Sequence, residues 1–377
     1  MANTLTNLIP LAYEALDIVS REIVGFIPSV NLDASSDTIA KGQTIYSPVA
    51  PVNTTGNITP AMTVTAASDQ TIGTKSLTID SYKSSGFNWT GEEEFGLASG
   101  GRLEAIMRDQ MAQCFRVHVN EIEAALGLAA KNGASRAVGT TAGTAPILAD
   151  FAGAQKILTD NGAPMSGRSV VIDTTAGAAL RGIANLYKVN EAGDSGLLRN
   201  GSLGQLYGFD IRESAGVSSA TAGTGASYTS STAGFAIGTT SIPIITGTGT
   251  VLAGDIVTFA NDTNKYVVAE GVSAPGTIVL AAPGLKKALP ASAVAMTIFG
   301  TSARNIALNK SAITLATRLP KFQAGDQAAD RYVMTDPNTG IAFEITMWPG
   351  QRMVKYEVSI AYGMSVIKPE HLAVIIG

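Results

Sequence analysis

The sequence predicts a mixed α+β fold organised around one very long helix, and three observations predict it. Residues 101–131 place Leu103, Ile106, Met107, Met111, Cys114, Val117, His118, Ile122, Leu126 and Ala129 at steps of three and four, one stripe of a helix. Segments rich in threonine, serine and valine on either side carry the turn punctuation and branched side chains of strands. Between 150 and 213 the pattern runs helix, strand, helix, strand, which is a small α/β layer. Arg102, Asp109, Arg116, Asn120 and Glu123 fall off the long apolar stripe, and no proline interrupts it. Asn132-Gly133 supplies a left-handed stop. At about 1.5 Å per residue the helix would run on the order of 45 Å, a beam to which other parts are fastened.

Composition narrows the class. The 377 residues carry 26 basic and 30 acidic side chains, a formal net charge of −4, which is no footprint for tight nucleic-acid binding. Only 15% of residues are charged and the mean hydropathy is +0.21, yet no apolar run reaches the roughly 18 residues of a membrane span. A chain this short of surface charge is expected to cover much of its surface with copies of itself or partners. The first residues lack the basic start and cleavage site of a secretory signal, so cytoplasmic synthesis is expected.

Residues 5–24 carry Leu8, Leu11, Ala12, Ala15, Ile18, Val19 and Ile23 at helical spacing, a terminal helix expected to dock as an arm. Residues 29–46 read as extended chain or loop. From 48 to 89 small and β-branched residues dominate, and 62–66 with 76–82 read as the strands of a long hairpin. So few bulky side chains occur there that the hairpin cannot sustain its own core and must lie on a neighbour. Phe87-Asn88-Trp89 restores apolar alternation, and Thr90 with Glu93 forms a capping box opening a short helix at 92–97.

Beyond the long helix, 134–145 reads as a glycine-threonine-alanine loop. Residues 150–160 form an amphipathic helix closed by Asn161-Gly162, 169–173 a buried strand, and 174–187 a helix capped by Thr174 or Thr175. Residues 200–213 read as turn, bend and strand. The low-complexity stretch 216–233 reads as a linker or mobile loop. Strands at 242–245, 255–259, 266–269, 277–280 and 295–299, spaced by roughly ten residues, form a small all-β module. Residues 305–308 and 311–317 return to mixed structure. Strands at 332–334, 341–347, 353–362, 364–367 and 372–376 close the chain, with a tight turn from Asp336 to Gly340.

Chemistry is sparse. His118 and His371 are the two histidines and Cys114 the single cysteine. Cys114 and His118, four apart on one helical face, have the spacing of half a metal site or a thiol–imidazole pair, but nothing nearby completes a ligand set, so both read as core. The glycines from Gly247 to Gly254 have the wrong interval for a dinucleotide fingerprint. Gly73-Thr74-Lys75-Ser76 lacks the Gly-Lys step of a phosphate loop, and both stretches read as turns. Glu92, Glu93 and Glu94 suit a helix N-terminus. Lys286-Lys287 is too small a basic cluster to hold nucleic acid alone. No catalytic, cofactor-binding or metal-binding set is expected, and no enzyme.

Four stretches sharpen the reading by their order: Leu203–Ile211 (LGQLYGFDI), Asn305–Ala316 (NIALNKSAITLA), Asp336–Glu344 (DPNTGIAFE) and Tyr362–Glu370 (YGMSVIKPE). Together they resemble the major capsid proteins of tailed double-stranded-DNA bacteriophages, in particular the subgroup with an inserted β domain. The resemblance implies an N-terminal arm at 1–45 and an extended loop at 46–90 lying over a neighbouring subunit. It implies a peripheral domain with its spine helix at 91–145 and 330–362, an apical domain at 146–215, 301–329 and 363–377, and an inserted β domain at 216–300. It further implies self-assembly into hexamers and pentamers of an icosahedral shell, with a scaffolding protein, a portal protein and weakly held packaged double-stranded DNA as partners, and no membrane. The location implied is the virion, with assembly in the host cytoplasm. A bacterial nanocompartment shell on the same fold and a phage tail or adhesin protein are the alternatives. Some members of the wider fold cross-link a loop lysine to a peripheral asparagine. Lys75 or Lys83 with Asn338 have the matching types, but no glutamate base can be placed and cross-linking is not expected.

Overall fold

The computed structural model describes residues 8–20, 24–49, 72–99, 103–139, 141–187, 203–322 and 328–377, with isolated positions at 55, 57, 60, 62, 201 and 325. The chain runs through α1 (Leu8–Ser20), β1 (Asn31–Ile39), β2 (Thr44–Val49), β3 (Gly73–Thr78), β4 (Ser81–Thr90), α2 (Gly91–Ser99) and α3 (Leu103–Gly133). Next come β5 (Arg136–Val138), α4 (Leu148–Asp160), β6 (Arg168–Ile172), α5 (Thr174–Arg181), α6 (Ala184–Tyr187), β7 (Gln205–Leu206) and β8 (Phe209–Glu213). Strands β9 (Ser219–Ala220), β10 (Thr229–Ser230), β11 (Ser241–Ile245), β12 (Ile256–Phe259), β13 (Lys265–Glu270), β14 (Gly276–Leu280) and β15 (Met296–Ile298) follow. The chain closes with β16 (Ser302–Asn309), β17 (Ile313–Pro320), β18 (Asp330–Thr335), β19 (Ala342–Gly350), β20 (Met353–Val366) and β21 (Leu372–Ile376).

Helix α3 spans 31 residues and is the spine the apolar stripe predicts. Its buried side includes Met107, Met111, Phe115, His118, Ile122, Leu126 and Ala130, in one cluster with α1, β19, β20, β16 and β21. Phe115 meets Phe343 edge to face at 5.2 Å. Two expectations about this helix are corrected. Val117 is exposed, whereas Phe115 and Glu123 are buried, because the helix packs against both sheets and α1 rather than along one seam. Gly133 is still helical instead of forming a left-handed stop; a Cβ there would sit 2.7 Å from Val366, so the glycine serves close packing.

Helix α1 buries Ala12, Ala15 and Leu16 in the same cluster and joins α3 through a 2.9 Å ion pair between Glu14 and Arg108. Of the expected 5–24 helix, residues 5–7 and 21–23 lie outside the described residues, and Val24 is not helical. The first extended segment is a true strand: β1 lies parallel to β17 at the edge of a six-stranded sheet ordered β1-β17-β20-β19-β18, with β4 laddered along β20. The separate strands expected at 353–362 and 364–367 are one, β20, running through Gly363, where a Cβ would lie 2.3 Å from the Thr78 carbonyl.

A 13-stranded sheet forms the other half, ordered β10-β11-β14-β13-β5-β21-β16-β6-β8-β7 along its main path. Helices α4 and α5 cover it through Phe151, Leu158, Ala176 and Leu180. The helix at 174–187 is broken at Gly182, and its cap is Asp173, whose Oδ1 accepts the Ala176 N–H at 2.8 Å, not Thr174 or Thr175. Two segments read as irregular are ordered by partners distant in sequence. Within 134–145, β5 pairs antiparallel with β13 and parallel with β21. Within 216–233, β9 pairs with β16 and β10 with β11, and the buried Tyr228 donates its hydroxyl to the Gly249 carbonyl at 2.6 Å. The strands from 228 to 298 enclose a core of their own around Ile242, Val257, Tyr266, Ile278 and Leu280. Among the described residues no helix is long and apolar enough to cross a membrane.

Candidate assembly surface

The ribbon expected to lack a core is present, with different strands. The segment 63–66 lies outside the described residues, and the observed two-stranded sheet pairs β2 with β3, Thr44 opposite Thr78 through Val49 opposite Gly73. Segment 76–82 is divided by Ile79-Asp80 between β3 and β4. Alternation explains what holds it. Leu77 and the part-buried Ile45, opposite each other, join Ile39, Ile79, Ala316 and Ala361 in a small cluster at the base. Backbone bonds clamp that base, Gly42 N–H to the Ile79 carbonyl at 2.8 Å and Ile79 N–H to the Gln43 carbonyl at 3.1 Å. Tyr82 donates its hydroxyl to the Ile39 carbonyl, and burial raises its pKa.

Above the base the described side chains of the ribbon are exposed. Gly73 to Ser76 are exposed, Ile72 is 66% exposed and Tyr46 68%. A cleft of about 730 Å³ opens beside it, lined by Asn31, Ile45, Lys75, Leu77, Pro164 and Lys310. Among the described residues the ribbon has two strands, and a two-stranded ribbon is marginal in water, so its distal part needs a further surface. The outer face of the six-stranded sheet offers a polar cleft of about 400 Å³ lined by Ser84, Glu344, Thr346, Trp348, Glu357 and Arg331. Arg331 pairs with Glu344 at 2.5 Å and stacks over Phe322 at 3.9 Å.

The residues singled out from the sequence are placed in structural roles. His118 Nε2 lies 3.0 Å from both Ser85 Oγ and the Val358 carbonyl, and Ser85 also donates to the Cys114 carbonyl at 3.2 Å. The carbonyl can only accept, which fixes the proton on Nε2, and His118 Nδ1 is buried with no partner among the described residues. Burial holds the His118 pKa below its ordinary value and pushes the Cys114 thiol up. Lys83 pairs with Glu121 at 2.7 Å, Lys75 lies on exposed β3, and Asn338 N–H donates to Asp336 Oδ1 at 3.0 Å in the tight turn. The glycines at 247, 249 and 254 have φ of +79°, +89° and +86° in turns, and Lys287 Nζ donates to the Asn261 carbonyl. The capping box forms: Glu93 Oε2 accepts from Thr90 N–H and Oγ1, both at 2.9 Å, and Thr90 Oγ1 accepts the Glu93 N–H at 3.3 Å.

Two buried polar residues were not singled out. Glu123, on the spine, accepts from the Phe26 and Ile27 N–H groups at 3.0 and 2.9 Å and from Ser214 Oγ at 2.8 Å. Arg304 is fully buried where α3, β16 and the β12–β13 strands meet; its Nη1 donates to Ser302 Oγ at 2.6 Å, and burial lowers its pKa against the opposing pull of Asp255. Asp255 accepts from Leu252 and Gly223 N–H groups, and burial raises its pKa. Nothing in residue type alone marks either as buried: Glu123 is met by backbone and hydroxyl groups from remote segments, and Arg304 is enclosed by elements brought together only in the fold.

This architecture of spine helix, adjoining ribbon, helix-covered layer and strand-rich return is a fold shared with a phage capsid structure. Compared with solved structures, the chain superposes on the capsid structure of cyanophage P-SCSP1u with a TM-score of 0.51 at 11% identity, covering 94% of this chain and 88% of that one. A structure from Mycobacterium phage Che8 matches with a TM-score of 0.46 at 15% identity, covering 93% and 90%. A virus-like particle from Pyrococcus furiosus matches with a TM-score of 0.42 at 8% identity, covering 96% of both chains. No protein-family model matches the chain, and no curated protein matches it.

Proposed function

We propose that this chain is the major capsid protein of a tailed double-stranded-DNA bacteriophage, a structural subunit that forms an icosahedral shell around the genome. The observation that carries the reading is the β2–β3 ribbon, anchored at its base by Leu77 and Ile79 and exposed beyond it at every described residue from Ile72 to Ser76, on a chain with the phage-capsid fold. In a shell the ribbon drapes over the adjacent copy, and a contact weak in one pair becomes strong when repeated around a closed lattice. Residues 91–145 and 330–362 act as the peripheral part, and 146–215, 301–329 and 363–377 as the apical part around the axis of each hexamer or pentamer. The strands between 216 and 300 act as an inserted domain. A scaffolding protein guides assembly, a portal occupies one vertex, and double-stranded DNA is held by weak non-specific contact, which suits a subunit of net charge −4. The chain resides in the virion after assembly in the host cytoplasm.

The test is expression of the chain, alone and with the scaffolding protein encoded beside it, followed by velocity sedimentation and negative-stain electron microscopy. Closed shells or capsid-like tubes are expected. Monomers or small soluble oligomers under both conditions would sink the proposal.

A further inference from the structure

We infer that the tip of the six-stranded sheet, where α2 meets the β19–β20 turn, is a contact between copies of this chain, with Arg352 of one copy set against Glu92 and Glu94 of the next. The inference rests on the shell reading and assigns it a surface. Helix α2 has nine residues, and every side chain described on it is exposed, including Phe95 at 79%. Isolated helices shorter than about 12–15 residues are marginal in water, and a capping box alone does not make up the difference. An amphipathic helix gains most of its stability by burying an apolar face, and none of the side chains described on α2 is buried. Phe95 is the large apolar side chain that the helix leaves in water, which identifies it as the anchor of the contact.

The adjoining turn makes the tip self-complementary. Gly91 N–H donates to the Arg352 carbonyl at 3.3 Å, so helix and turn are one unit. Arg352 has φ of +59°, an uncommon value for a residue with a Cβ, and its side chain is exposed, as is Met353 beside it. Glu93 is engaged in the cap, but among the described residues neither Glu92 nor Glu94 forms an ion pair with Arg352, although all three lie on the same tip. Opposite charges displayed side by side and left unpaired within one copy can pair between copies related by a rotation, which closes a ring. The excess of carboxylates argues against nucleic acid or an anionic membrane as the occupant, and the arginine supplies the counter-charge that a second copy needs.

A charge exchange tests this. Arg352→Glu is expected to raise the protein concentration required for particles by about tenfold or more, as is Phe95→Ser, while the thermal midpoint of the soluble subunit stays at the wild-type value. Adding Glu92→Lys and Glu94→Lys to Arg352→Glu should restore particles, and mixing the single reversal with the double-lysine chain should do the same. Glu93 is left intact, so the cap is preserved. If Arg352→Glu assembles like wild type, or if the folded exchange variant and the mixture both fail to recover particles, the tip contact is wrong while the shell reading stands. A wild-type chain that forms no particles overturns both.

Discussion

Glu123 ties the spine to two segments that arrive from opposite directions: the backbone at Phe26-Ile27 and the hydroxyl of Ser214. At the same crossing Gly127 and Gly216 approach so closely that a Cβ on Gly127 would lie 2.5 Å from the Gly216 carbonyl. Glu123→Ala would leave two buried N–H groups and a hydroxyl without an acceptor, at a cost of about 3 kcal/mol or more. A guanidinium titration is expected to show that loss, with Glu123→Gln intermediate; a change under about 1 kcal/mol would contradict the assigned role. His118 gives the molecule a pH response. Burial lowers its folded pKa, with the Val358 hydrogen bond and Glu121 opposing and Lys83 reinforcing. A depressed pKa means that the stabilising contribution is complete above the unfolded value of 6.5 and is lost as the pH falls through the folded value. His371, held at 2.9 Å from Ser311 Oγ and lowered mainly by burial, adds in the same direction. The thermal midpoint should therefore decline on acidification below about pH 6.5, and His118→Asn should flatten the decline. An unchanged slope in that variant would remove His118 from the account.

At the scale of elements, the ribbon separates into an anchored base and a bare blade. Leu77→Ala with Ile79→Ala removes both anchors, each substitution costing about 2–4 kcal/mol where the side chain is fully packed. Limited proteolysis of the soluble subunit should then cut within the ribbon well before the core unfolds, and particle yield should fall; an unaltered digestion pattern would contradict the anchoring. Elements whose stability is encoded locally were legible in the sequence. The spine shows a sustained 3.6-residue stripe, the Thr90–Glu93 cap is a three-residue motif, and the strands of the 228–298 core alternate between turn signals. Elements made by remote pairing were not. The three residues of β5 carry no pattern and become a strand because β13 and β21 flank them. Residues 216–233 look featureless, yet Tyr228 and the β9 and β10 pairings order that segment. The need of the ribbon for support was readable from its lack of bulky residues, whereas its strand partners were not, since Thr44–Val49 and Gly73–Thr78 are joined by a long excursion. The α2 tip was read only as a capped helix, because the exposure of its described side chains becomes visible only when the neighbours are placed.

For the whole molecule, the two sheets share α3 and a single large hydrophobic cluster, so forces applied to the ribbon side are transmitted to the helix-covered layer through packed side chains. The strands from 228 to 298 keep their own core but join that layer through β13 against β5, with Arg304 and Asp255 buried at the joint. The result is a stiff body bearing two projections, the ribbon and the α2 tip, whose described side chains are largely exposed. Both projections have the character of surfaces finished by another copy. The most direct test of that claim is amide hydrogen exchange at Gly73–Thr78, compared between dissociated subunits and assembled particles. The account predicts fast exchange in the free subunit and strong protection in the particle; equal protection in both states would show that the ribbon is ordered by its own chain and would contradict the account.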